Sequence, residues 1–275
     1  MIRRTANGLA LYHFDSLLAH PGVIHAVFTR LGGVSAEHFS SLNVGHSVGD
    51  DARAVDENHR RLLATLETPP THVVSPRQVH GGNVAKAGAH LGGATVPSTD
   101  SLFTAEPGVA LLLRFADCVP VLLYDARLHA VALAHAGWRG VVAGVVTNTL
   151  AAMHHDLGSI ASDVIACVGP AIGPCCYTVG VDVAAMVAEA AGPECACPAT
   201  GGTSGLQLDL PRAVGLQLLR AGVQHIEQGG LCTSCHSDEF FSHRAERGRT
   251  GRFAALLALR DPGRARGASG EPAQS

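Results

Sequence analysis

Short apolar runs alternate with amphipathic stretches along this chain. Residues 22–30, 72–79, 109–115, 119–124, 129–134, 163–168, 223–228 and 253–260 carry β-branched or near-continuous apolar patterns and read as strands. Residues 52–66 place Val55, Leu62 and Leu63 on one face and charge on the other, which predicts a helix. A second helical pattern runs unbroken over 137–157 and stops at Gly158, a C-cap glycine. Further helices are predicted over 181–191 and over 211–221, the latter with Pro211 in its first turn. Loops are expected at 41–51, 169–176 and 193–205, with a Gly-Gly turn at 32–33.

Strands in quick succession stand beside strand–helix–strand units. That order predicts an α+β fold, a mixed sheet layered with helices, rather than a doubly wound one. Residues 1–260 are read as a single catalytic domain without internal repeats. Residues 261–275 are rich in Pro, Gly, Ser and Arg, lack large apolar side chains and are expected to form a disordered C-terminal tail.

Composition narrows the field. Hydrophobic residues make up 47% of the 275, but aromatics only 4%, so Val, Leu and Ala must fill the core. The net charge is −3 with no block of one sign, which argues against nucleic acid and against a polybasic membrane contact. The start Met-Ile-Arg-Arg is basic, but Asn7, His13 and Asp15 interrupt any apolar run after it, so no export signal is read. No apolar stretch reaches the roughly 18 residues a spanning helix needs. A cytoplasmic location is therefore expected, and the eight cysteines are read as thiols or ligands rather than disulfides.

Three segments break the apolar pattern with polar chemistry at expected strand ends. They are Arg77-Gln78-Val79-His80-Gly81, Ala116-Asp117-Cys118-Val119-Pro120 and Ala134-His135-Ala136-Gly137-Trp138-Arg139-Gly140. Two imidazoles and a thiolate from His80, Cys118 and His135 suit Zn²⁺, and three protein ligands leave a fourth position open, as in catalytic sites. Cys118 and His135 also suit a metal-free use, as the thiolate–imidazolium pair of a cysteine hydrolase or amidase. Arg139, at a strand-to-helix turn, is a candidate anion contact or a plain surface arginine. Asp117 either orients a ligand or caps the break between strands. Cys232-Thr233-Ser234-Cys235 is a CxxC without a second CxxC, and Cys167, Cys175 and Cys176 read as small buried side chains or loop thiols.

These motifs together carry a resemblance. FTRLGGVS (28–35), SLNVGHSVGDD (41–51), RQVHG (77–81), TDSLFT (99–104), ADCVPVLL (116–123), HAGWRG (135–140), GPAIGPCCY (169–177), FFSHR (240–244) and GRTGR (248–252) are similar in kind and order to the YfiH family, also called the multicopper polyphenol oxidoreductase or laccase-domain family. The resemblance implies a layered α/β/β/α sandwich with mixed sheets, similar to the cytotoxic necrotising factor type of cysteine deamidase. It implies zinc on His80, Cys118 and His135 as the catalytic centre, with copper as an older assignment. It implies a purine nucleoside and phosphate as substrates: phosphorolysis of adenosine, inosine and methylthioadenosine, with adenosine deamination as a second activity. Asn43 and Arg60 fall in segments similar to the family's substrate-side loops and, with Arg139, are the expected substrate contacts. A monomer or small homo-oligomer is expected. The remaining alternatives are a copper-dependent phenol oxidase and a binding protein with a vestigial site.

Overall fold

The computed structural model describes residues 1–198 and 205–261. Two large sheets pack face to face. The first has seven strands in the order Ile2–Ala6, Leu9–His13, Val23–Phe28, Phe253–Leu259, Ala110–Phe115, Val73–Pro76 and Thr95–Val96. The second has six, in the order His225–Gln228, Val164–Val168, Val119–Asp125, Ala130–Ala136, Ser101–Thr104 and Val84–Lys86. Both mix parallel and antiparallel pairs.

Alternation along the strands sorts side chains into three cores. Between the sheets lie Leu111, Leu113, Phe115, Phe253 and Leu257 from the first, meeting Leu122, Tyr124, Val131 and Leu133 from the second. On the outer face of the first sheet, Ala110, Leu112, Ala254 and Leu256 pack with Leu62 and Leu63 of helix Ala52–Thr65. Beyond the second sheet, Val119, Val121, Leu123, Ala132, Ala134 and Ala136 face Val145, Leu150 and Met153 of helix Val145–Leu157, with Ala213, Val214 and Leu218 of helix Leu210–Arg220. The result is the α/β/β/α sandwich. Covering on both faces is why these strands read as continuous apolar runs.

The expected helices start and stop close to prediction, and local caps explain it. Asp51 accepts the Arg53 N–H at the start of Ala52–Thr65, and Asp209 accepts from Arg212 before Leu210–Arg220. Gly158 caps Val145–Leu157 in the left-handed region, φ +75°. One expectation fails: residues 137–157 form two helices, Trp138–Val142 and Val145–Leu157, broken at Gly144 with φ +69°. Asn148 stabilises the break, donating to the carbonyls of Ala143 and Gly82.

The N-terminal hairpin of Ile2–Ala6 with Leu9–His13 is not visible in the apolar pattern, because its outer strand is exposed and mostly polar. The region expected as loop 193–205 instead opens with a 3-10 turn, Pro193–Cys195, and a short strand, Ala196–Pro198, which pairs with Leu206–Leu208. Residues 199–204, and the expected tail from 262 on, lie outside the described residues. No helix among the described residues is long and apolar enough to cross a membrane.

Candidate active site

Cys118 sits where the chain crosses from one sheet to the other. Strand Ala110–Phe115 belongs to the first sheet and Val119–Asp125 to the second, so Ala116-Asp117-Cys118 spans the gap at their rim. His135 lies on the neighbouring strand, where it registers with Pro120, and this brings it beside Cys118. His80 arrives from the loop after Val73–Pro76 of the first sheet. The side-chain donor atoms of His80, Cys118 and His135 lie within 4.8 Å of one another. The two imidazoles meet edge to face, with centroids 4.8 Å apart. Gly137 adds to the closeness: a Cβ there would stand 2.8 Å from Cys118 Sγ.

The organising group is Asp100, to which the sequence reading gave no role. Its buried carboxylate accepts the backbone N–H of Val79 (3.1 Å), His80 (2.9 Å) and Gly81 (2.8 Å), and lies 2.9 Å from His135 Nδ1. Three successive N–H groups around one carboxylate form an anion nest, and they hold His80 in the left-handed region, φ +60°. Burial pushes the Asp100 carboxyl up, but His135 and these N–H groups outweigh it and leave it below its ordinary value. The clue in the sequence was a lone acid immediately before the buried strand Ser101–Thr104.

With Nδ1 committed to Asp100, His135 presents Nε2 to Cys118 and His80. Burial alone would raise the Cys118 thiol; the neighbouring imidazoles outweigh it and bring the thiol down. Burial disfavours a charged His135, yet the Cys118 thiolate and Asp100 raise it above its usual value. Two imidazoles and an acidified thiol, one imidazole backed by a carboxylate, fit a thiophilic divalent cation such as Zn²⁺. The open side of the triad faces a cavity of about 820 Å³.

Five arginines line that cavity: Arg77, Arg114, Arg139, Arg244 and Arg252. Among the described residues, the ion pairs of arginine involve Arg3, Arg30, Arg60, Arg61 and Arg127, and none of these five. Burial lowers the basicity of Arg114 and Arg252, the mark of guanidinium groups withdrawn from water. Trp138, Ile172, Tyr177 and Leu210 supply an apolar wall, with Arg139 over the Trp138 ring and Arg244 over that of Tyr177.

Of the three expected substrate contacts, Arg139 lines the cavity; Asn43 and Arg60 do not. Asn43 is fully buried, donates to Asp50, and accepts the N–H of Gly45 and Arg252. Its bonds shape two segments of the cavity wall, at Gly45 and Arg252. Arg60 points outward from its helix and is held by Glu57. Asp117 ties loops together: it accepts from Thr233 Oγ1 and from the N–H of Arg244, and its carbonyl accepts the N–H of Ile172. Cys175 and Cys176 are not isolated loop thiols, because both face Cys235.

Known proteins are similar to this one over most of the chain. The family described as multi-copper polyphenol oxidoreductase laccase matches residues 24–260. The purine nucleoside phosphorylase YlmD of Geobacillus stearothermophilus is 41% identical over 250 residues, 87% of this chain and 91% of its own length. The purine nucleoside phosphorylase PA4543 of Pseudomonas aeruginosa is 40% identical over 236 residues, 86% of this chain and 93% of its own. The crystal structure of Geobacillus YlmD superposes with a TM-score of 0.87 at 38% identity, covering 94% of this chain and 98% of that one. The Bacillus licheniformis protein YfiH gives the same TM-score at 32% identity, covering 94% and 99%. The family match and the two superpositions agree, and the chain belongs to the multi-copper polyphenol oxidoreductase laccase family, the family of YfiH and YlmD.

Proposed function

We propose that this protein is a zinc-dependent purine nucleoside phosphorylase, acting on adenosine, inosine and methylthioadenosine, with adenosine deamination as a second activity. One observation carries the reading: the His80–Cys118–His135 cluster opens on a cavity whose wall holds five arginines that form no ion pair among the described residues. Such a cavity suits a dianion together with an uncharged heterocycle, and its volume accommodates a nucleoside. The names of the relatives point the same way.

Phosphorolysis forms a bond from a phosphate oxygen to the anomeric carbon as the bond to the purine nitrogen breaks. The electron pair of that bond passes to the base. In this reading the arginines, Arg139 among them, hold phosphate and offset its charge. Trp138, Tyr177, Ile172 and Leu210 enclose the base and exclude water. Zinc on His80, Cys118 and His135 would supply Lewis-acid stabilisation of developing negative charge. Asp100 keeps His135 in one tautomer and orientation.

Copper is the weaker occupant. Blue-copper sites add a weak axial ligand, usually Met, to two His and one Cys, and no methionine is among the described residues that line this cavity. A second reading rests on the adjacency of Cys118 and His135, which suits a cysteine hydrolase without metal.

Release of hypoxanthine from inosine, followed by chromatography with and without phosphate, tests the proposal. Phosphate-dependent release that chelators abolish supports it. Activity that survives chelation but not thiol alkylation transfers the site to the hydrolase reading. Oxygen uptake with phenols only on copper loading would favour the oxidase.

A further inference from the structure

Four cysteines outside the cavity gather at one point. Cys175 and Cys176 lie in a turn closed by the Cys176 and Tyr177 N–H groups on the Gly173 carbonyl. Cys232 and Cys235 lie in a second turn, closed by the His236 N–H on the Cys232 carbonyl and joined to the first segment by the bridge between Ala171 and Cys232. All four sulfurs lie within 4.8 Å of one another. Cys235 Sγ is 3.5 Å from both Cys175 Sγ and Cys176 Sγ, so none of these pairs is bonded.

We infer that Cys175, Cys176, Cys232 and Cys235 form a second, closed metal site that takes zinc as a tetrathiolate, separate from the open site at His80, Cys118 and His135. Zinc–thiolate bonds of about 2.3 Å in a tetrahedron set sulfurs about 3.8 Å apart, close to the spacing observed here. A disulfide would use two of the four thiols, and Cys235, equidistant from two partners, selects neither. A tetrahedral ion uses all four. The Gly173 N–H already donates to Cys232 Sγ at 3.2 Å, the hydrogen bond that stabilises a ligating thiolate. The sequence hid the site because its second pair is a vicinal Cys-Cys about sixty residues earlier rather than another CxxC.

Four protein ligands leave no position for substrate, so the role is structural. Its effect reaches the active site by a short route. Both clamped segments also lean on Asp117: the Ile172 N–H on its carbonyl at 2.9 Å, and Thr233 Oγ1 on its carboxylate at 2.7 Å. Asp117 adjoins Cys118, and Ile172 and Tyr177 line the cavity. The ion would fix that wall at one end while Asp117 fixes it at the other.

The test uses the full chain purified without chelators, with zinc as the probe. Elemental analysis should give two zinc per chain for the native protein and one for Cys232→Ser. X-ray absorption on His80→Ala should show zinc bound by four sulfurs only. If Cys232→Ser does not fold, the native chain still decides: Cys175 and Cys235 should be alkylated at least about tenfold faster after chelation than before. Unchanged metal content in Cys232→Ser, iron in place of zinc, or alkylation indifferent to chelator would each overturn the inference. Were the His80 site wrong instead, native protein and His80→Ala would hold the same single all-sulfur zinc, so the two failures are distinguishable.

Discussion

Asp100 Oδ1 stands 2.9 Å from His135 Nδ1, and the same carboxylate collects the backbone N–H groups of the segment that carries His80. One buried side chain thus sets the orientation of two of the three expected ligands. Asp100→Asn keeps the shape but replaces one carboxylate oxygen with an NH2 group, which donates and cannot accept the bonds that oxygen took. Loss of such a supporting partner costs roughly 10–100-fold in metal affinity. A chelator competition titration should show that drop with His135 still present. Unchanged affinity would mean that Asp100 only shapes the loop.

Gly137 tests the tightness of the same site. A Cβ there would meet Cys118 Sγ at 2.8 Å and His80 Cδ2 at 3.3 Å. Gly137→Ala should push these two side chains apart, lowering metal content and activity together. Overpacking of this kind costs about 1–3 kcal/mol, which denaturant unfolding would register. Normal zinc binding in that variant would show that the triad has more room than the structure gives it.

Arg139 and Arg60 should separate cleanly in kinetics. Arg139 lines the cavity and has no ion pair among the described residues, so Arg139→Met removes a charge-assisted contact worth about 1.5–3 kcal/mol. That corresponds to a rise of roughly 10–150-fold in the KM for phosphate, with a smaller change for nucleoside. Arg60 is held by Glu57 on the helix surface, so Arg60→Ala should leave both constants unchanged. A phosphate effect from Arg60→Ala would restore it as a substrate contact.

Stability should fall with acidification well before the carboxylates titrate. Burial, then the charge of His13, lowers His25 to about 3; burial and the charge of Arg114 lower His59 to about 4. Unfolded histidines titrate near about 6.5, so below that pH the unfolded chain binds protons the folded one refuses. Their contribution is complete above about 6.5 and drains away as pH falls, by about 1.4 kcal/mol per pH unit for each histidine. His59 stops contributing to the slope near 4 and His25 near 3. Urea unfolding from pH 7.5 to 4.5 measures it, and His25→Gln should remove one proton's share of the slope. An equal slope in that variant would place the titration elsewhere.

Much of the architecture was legible because burial on both faces writes itself into sequence. Residues 119–124 and 130–134 are uninterrupted apolar runs, and the helices carry their own caps in Asp51, Asp209 and Gly158. The polar breaks at His80, Cys118 and His135 stood out against that background. What periodicity missed was local and conformational: the left-handed Gly144 splits a pattern that continues in register on both sides, so the helix 137–157 looked whole.

The sequence by itself determined the long buried strands, most of the helices and which three side chains interrupt the apolar pattern with ligand chemistry. Tertiary structure alone decided who stands beside them. Asp100 reaches His135 across 35 residues because strand Ser101–Thr104 pairs with Ala130–Ala136. Asn43 turned inward to hold Arg252, and Arg60 outward to Glu57, although both lie in segments expected to face substrate. Cys175 and Cys176 found Cys232 and Cys235 because separate loops return to one rim. Periodicity records how each residue faces its own element. Partners drawn from distant elements depend on sheet order and crossovers, which no local pattern encodes.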